Sequence, residues 1–104
     1  MYSLKINNIS TSYYRLGKLH RKFGPAFYKD GSTFWFKNGI LHRDNGPAVE
    51  YKEGKNIWFK NGRIHREDGP AIIFYSDEEW FVDGVKYDRS EHLLALIRYK
   101  MRKH

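Results

Sequence analysis

Short runs of aromatic and β-branched residues alternate with polar turns along most of the chain: FWF at 34–36, NIWF at 56–59, AIIFY at 71–75 and EWFV at 79–82. Runs of this length and make-up, bounded by Gly, Asn and Asp, predict strands. In PAVEYK (47–52) Val49 and Tyr51 share one face, while Ala48, Glu50 and Lys52 share the other; PAIIFY (70–75) is apolar on both. Trp35, Trp58 and Trp80 project to one side of their strands, and Phe36, Phe59 and Phe81 to the opposite side. Aromatics on both faces imply a curled sheet or a covered face. The tryptophans are therefore expected in the core, against Val49, Tyr51, Ile72 or Phe74. The alternative is an exposed aromatic row on which unpaired bases could stack. The pattern changes after residue 88: DRSEHLLALIRYKMRKH (88–104) predicts a helix with Asp88 or Ser90 as N-cap. Leu93, Leu94, Ile97 and Met101 form its apolar stripe, expected to cover the sheet.

One phrase recurs along the strand-rich part. It reads YYRLGKLHRKFGPA at 13–26, WFKNGILHRDNGPA at 35–48 and WFKNGRIHREDGPA at 58–71, with a shortened WFVDGVKYD at 80–88. The marker glycines Gly17, Gly39, Gly62 and Gly84 are 22, 23 and 22 residues apart, the spacing of a stacked array. Asn38-Gly39, Asn61-Gly62 and Asp83-Gly84 suit hairpin turns, which need positive φ. Asp30-Gly31, Glu53-Gly54 and Asp77-Glu78 mark the turns at the opposite edge. Gly24-Pro25, Gly46-Pro47 and Gly69-Pro70 precede the second strand of each unit; Pro has no N–H to give a ladder and suits a strand's first residue. The expected fold is mainly β, a single domain: a meander of stacked antiparallel hairpins with a capping C-terminal helix. Residues 1–12 would form a cap strand, 13–88 three and a half repeats, and 89–104 the helix.

An aromatic strand, then Asn-Gly, His, Gly and a strand ending near Asp-Gly, at a period of 22–23 residues, resembles the MORN repeat over roughly residues 13–88. W-x-x-N-G-x-x-H is intact from Trp35 and from Trp58. The chain departs from the usual pattern after His, where R-x-x-G-P-A replaces a short H-G-x-G, so it resembles a MORN-like variant. The same phrase also looks like repeats of small bacteriophage and large-virus proteins. The resemblance implies an elongated sheet associated with protein–protein contact or assembly. Its motif contains no catalytic residue.

Composition narrows the function classes. The 104 residues suffice for one modest core, and 17% are aromatic. With no cysteine there is neither a disulfide scaffold nor a thiolate metal site. The N-terminus lacks the basic-then-apolar pattern of a signal peptide, so a soluble, cytoplasmic protein is expected, in host cytoplasm if viral. On the same ground the sequon at Asn8-Ile9-Ser10 is expected to be accidental. The net charge of +7 is uneven. Residues 1–29 carry six cations and no acid, and 98–104 add Arg98, Lys100, Arg102 and Lys103, whereas 30–97 have nine basic against twelve acidic residues. Basic character thus belongs to the ends.

The candidate chemistry is the repeated pair His20-Arg21, His42-Arg43 and His65-Arg66. It could be an anion-binding ladder, since Arg offers a planar fork to phosphate. The favoured reading is structural: a catalytic group is needed once, and this pair recurs three times. There it would tie loop carbonyls and pair with Asp44, Glu67 or Asp68. No metal is expected: equivalent histidines would lie about 9.6 Å apart, two strand spacings, and His92 and His104 lack a second ligand. Nor is any cofactor, for no nucleophile triad or phosphate-cradling loop stands out. The expected function is a non-catalytic protein-binding module, with inhibition of a host defence protein as its viral form. The alternative is nucleic acid or an anionic nucleotide held by Tyr13, Tyr14, Arg15, Lys18, Arg21 and Lys22 together with Arg98, Lys100, Arg102 and Lys103. Membrane attachment ranks third, and a homodimer through a sheet edge stays open.

Overall fold

The computed structural model describes residues 1–7 and 9–103; the sequon asparagine Asn8 and His104, expected on the helix, lie outside the described residues. Among the described residues, fourteen short strands run along the chain. The first seven are β1 (Tyr2–Ile6), β2 (Ser10–Arg15), β3 (Lys18–Leu19), β4 (Phe27–Lys29), β5 (Ser32–Phe34), β6 (Phe36–Lys37) and β7 (Ile40–Leu41). The rest are β8 (Val49–Glu50), β9 (Asn56–Ile57), β10 (Phe59–Lys60), β11 (Arg63–Ile64), β12 (Ile72–Phe74), β13 (Asp77–Val82) and β14 (Val85–Tyr87). A turn of 3-10 helix, Arg89–Glu91, leads into α1 (His92–Arg102). The fold is mainly β, as expected. Its main sheet is an antiparallel meander in the order β1-β2-β4-β5-β8-β9-β12-β13-β14, with β3 folded back on β2. Residues 1–12, expected as one cap strand, hold β1 and half of β2.

Each unit is a hairpin whose tip returns briefly on itself. β6 pairs with β7 and β10 with β11 around Asn38-Gly39 and Asn61-Gly62. Both turn residues have positive φ, 51° and 81° at Asn38 and Gly39, which is the I′ geometry matching strand twist. Leu16 takes the Asn position of the first unit at φ 51°, a strained choice for a branched side chain. In the third unit the far turn falls at Tyr75-Ser76, not at Asp77-Glu78; Tyr75 takes φ 55° and the two acids begin β13. Their carboxylates extend into solvent on an exposed strand end, so a charged pair there did not require a turn.

The molecule measures 44 × 35 × 17 Å, so the sheet is essentially one layer. A register-matched row of Phe27, Phe34, Val49, Ile57 and Ile72 crosses it on one face. Completely buried positions are small: Ala26, Ala48 and Ala71, one per unit, each just after the Gly-Pro step. Their carbonyls accept from the N–H of Tyr13, Trp35 and Trp58 at 2.7–2.8 Å, which joins the return strand to the start of its own unit. Val82, Ala95 and Leu96 form a second cluster, with Tyr87 and Tyr99 packed against it.

The helix does cap the array, but with a different face from the one expected. Its buried residues are His92, Ala95 and Leu96, with Tyr99 half-buried, whereas Leu93, Leu94, Ile97 and Met101 are exposed. The end of the sheet offers polar and aromatic partners. His92 Nε2 bonds the Arg66 carbonyl at 2.8 Å, its ring meets Trp80 edge-on at 4.9 Å, and Tyr99 lies 5.0 Å from the His65 ring. At the helix start the Asp88 N–H donates to the Glu91 carboxylate at 3.3 Å, half of a capping box.

Candidate functional site

The His-Arg pair is the joint of each unit. Arg21, Arg43 and Arg66 lay their guanidinium groups over Tyr13, Trp35 and Trp58, each 4.0 Å from the ring centroid. On the other side each touches the unit's glycine: a Cβ on Gly24, Gly46 or Gly69 would sit 3.0, 2.8 or 2.8 Å from the arginine Cζ. The same groups donate to the carbonyls of Pro25, Pro47 and Pro70 at 3.4, 3.0 and 3.0 Å. Aromatic ring, guanidinium and glycine thus form a three-layer stack that closes the loop. The tryptophans, expected in an apolar core, are half-buried beneath arginines instead, because a one-layer sheet has no opposing layer to bury them. Trp80 keeps a looser version with Arg89 at 5.5 Å.

The histidines connect one unit to the next. Nδ1 of His20, His42 and His65 accepts the backbone N–H of Asn38, Asn61 and Asp83 at 3.0, 3.0 and 2.9 Å. Beside each bond the next glycine's N–H reaches the carbonyl of Leu19, Leu41 or Ile64 at 2.8 Å. A turn at positive φ aims two successive N–H groups backward, and the preceding imidazole accepts one of them. The neutral ring therefore carries its proton on Nε2. That nitrogen meets Asp44 at 2.9 Å in the second unit and Glu67 at 3.3 Å in the third. Glu67 also takes the Lys100 ammonium of the helix at 3.0 Å. That bond, with lesser help from His65, outweighs partial burial and holds the Glu67 carboxyl below its ordinary range.

The first unit departs from this scheme. Where Asp44 and Glu67 stand it has Lys22, and where Asn45 and Asp68 stand it has Phe23. Tyr28 replaces Glu50, so Arg21 donates to a hydroxyl at 3.1 Å where Arg43 meets a carboxylate at 3.2 Å. A cleft of about 710 Å³ opens between this loop and the next; its walls include Arg15, His20, Lys22, Phe23, Trp35 and Lys37. Five lysines and arginines line it against the single carboxylate of Asp44, whereas the following cleft has three of each sign. Phe23 is 85% exposed. Burial lowers the His20 pKa, and the positive charges of Arg15 and Lys37 lower it further.

Of the residues singled out in the sequence, Arg15, His20, Arg21 and Lys22 come together at this cleft. Tyr13 is occupied by the Arg21 stack, Tyr14 has the Lys5 ammonium over its ring at 5.3 Å, and a smaller cleft of about 260 Å³ is lined by both tyrosines with Arg21 and Lys22. Lys18 lies on β3, its stem alongside Gly39. Arg98, Lys100 and Arg102 belong to α1, with Lys103 as its C-cap, packed on β13 at the far end of the sheet, so the two basic ends form separate surfaces. Phe23 and Lys37 were missed. Aligning the units and reading their departures would have found Phe23; Lys37 recurs as Lys60 and gives no such signal. Among the described residues no group of three His, Asp or Glu is placed to hold a metal ion, and no helix is long and apolar enough to cross a membrane. Compared with protein-family models, curated proteins and solved structures, the chain matches none.

Proposed function

We propose that this chain is a non-catalytic, MORN-like protein-binding module that docks a partner protein on the outer face of α1. The supporting observation is the exposure of Leu93, Leu94, Ile97 and Met101, at 69, 52, 47 and 70%. At about 100° per residue these four share one side of the helix, away from His92, Ala95, Leu96 and Tyr99. A contiguous apolar patch left in water by its own fold marks an interaction surface. Arg98 borders it on one side, with Arg102 beyond, and Lys100, which also pairs with Glu67, borders it on the other. By charge complementarity the partner surface is apolar with carboxylates at its rim, and an acidic amphipathic helix laid along α1 meets that description. The resemblance to phage and large-virus repeats extends the proposal to a phage-encoded inhibitor of a host protein, a defence protein included, acting in host cytoplasm.

The test begins with the tagged full chain in nuclease-treated host lysate, read by mass spectrometry. The captured protein is then purified and titrated calorimetrically against wild type, Leu94→Asp and Ile97→Asp. Both substitutions are at exposed positions, so unchanged thermal melts establish that the fold is kept. The expected result is a partner with an acid-rimmed apolar site, whose affinity falls about a hundredfold or more in either variant, the effect of losing a central interface contact. A partner held equally by all three proteins would overturn the proposal. So would binding to anionic vesicles in place of a protein, or a wild-type dimer that either variant dissociates.

A further inference from the structure

Three equivalent imidazoles are held by the same backbone bond, so the second and third units show what the Nε2 side of the first is shaped to receive. There it faces a carboxylate oxygen at 2.9 and 3.3 Å. In the first unit, among the described residues, no carboxylate lies against His20 or Arg21, and Lys22 has replaced the acid. Repetition across units accounts for the stack and the inter-unit bond as scaffold. The fold does not account for the departures: Lys22 and Phe23 are exposed, and each exchanges a polar or acidic residue for a cation or an apolar ring. Their neighbours Arg15 and Lys37 make no salt bridge among the described residues.

We propose that this cleft is a nucleotide phosphate site. A phosphate oxygen takes the place beside His20 Nε2 that Asp44 and Glu67 fill in later units, with Lys22, Lys37 and Arg15 as counter-ions. Phosphate fits better than a carboxylate because a monoester carries about 1.5–2 negative charges near neutrality, against several uncompensated cations. The exposed Phe23 ring lines the same cleft with the Lys22 ammonium 5.2 Å from its centroid on one side, and its other face is offered to the base. The Arg21 guanidinium is committed to Tyr13, Pro25 and Tyr28 and supplies field without contact. This site is at the opposite end of the sheet from α1 and is independent of the docking surface above.

The internal repeat supplies the variants. Lys22→Asp and Phe23→Asn install the second unit's own residues, Asp44 and Asn45, at positions where the same loop already tolerates them. The full-length protein is titrated with adenosine monophosphate, adenosine, inorganic phosphate and a mixed-sequence single-stranded oligonucleotide. Calorimetry gives affinities, and NMR follows the His20 imidazole. Adenosine monophosphate should bind and raise the His20 pKa, because a nearby anion favours the protonated ring. Adenosine should not bind. Lys22→Asp should weaken the nucleotide about tenfold or more. Phe23→Asn should weaken the nucleotide yet leave inorganic phosphate unchanged. Equal nucleotide affinity for wild type and Lys22→Asp would overturn the assignment, as would an unmoved His20 resonance at saturating nucleotide. An oligonucleotide that binds while the mononucleotide does not would replace it with a nucleic-acid surface.

Discussion

Replacing Gly69 by alanine tests the idea that the Gly-Pro step exists to admit an arginine. Gly69 is buried, and its backbone is outside the positive-φ region, so the backbone itself permits an alanine. The added Cβ, however, would lie 2.8 Å from Arg66 Cζ and 3.0 Å from Nε and Nη1. The guanidinium is the movable partner and would be displaced. Displacement removes the stack on Trp58, worth about 1 kcal/mol for a partly covered cation–π pair. It also removes the 3.0 Å bond to the Pro70 carbonyl, worth about 1.5–2 kcal/mol for a charged donor. The Arg66–Asp68 pair adds little, because Asp68 is 86% exposed. The expected loss is about 2–3 kcal/mol, or roughly 10–20 °C in Tm for a domain of this size. Urea unfolding followed by tryptophan fluorescence measures it. The decisive comparison is the same substitution in an Arg66→Ala background. With no guanidinium to displace, alanine should be neutral or stabilise by about 0.5 kcal/mol through the unfolded chain, leaving a coupling of about 2 kcal/mol or more. Equal cost in both backgrounds would refute the stack as the reason for the glycine.

Leu16→Asn, which gives the first hairpin the residue used at Asn38 and Asn61, should raise stability by about 1 kcal/mol by relieving the φ of 51°, and thermal melts read this directly. His92→Ala should cost about 2 kcal/mol through the lost bond to the Arg66 carbonyl and leave α1 exchanging its amide hydrogens faster than β12; equal protection would count against a helix anchored there. The depressed Glu67 carboxyl contributes stability above the ordinary carboxylate range that is lost as pH falls through its lowered pKa, so urea midpoints of wild type and Glu67→Gln should converge in acid and separate near neutrality. The lowered His20 pKa has a similar sense: acidification through the imidazole range favours the unfolded chain, which binds that proton more readily, and His20→Asn should flatten this part of the profile.

Much of the array was legible because its information is local. Positive φ at Asn38-Gly39 and strand alternation are decided within a few residues and so appear in the sequence as turn pairs and periodic apolar positions. The period of 22–23 residues implies that what one unit does, its copies do, and the three His-Arg pairs do make the same stack and the same inter-unit bond. The same regularity shows where to look for function, since Lys22 and Phe23 are conspicuous only beside Asp44-Asn45 and Glu67-Asp68. Other features depend on surfaces that meet only in the fold. The apolar stripe of α1 was the natural choice for burial, yet the end of a one-layer sheet presents a carbonyl, an indole and an imidazole, and His92, Ala95, Leu96 and Tyr99 fit that surface better. The tryptophans read as core for the same reason, and with no second layer they are covered by arginine instead. Local chemistry specified the strands, turns and repeat; tertiary structure decided which apolar side chains were buried, because burial depends on the partner surface as much as on the residue.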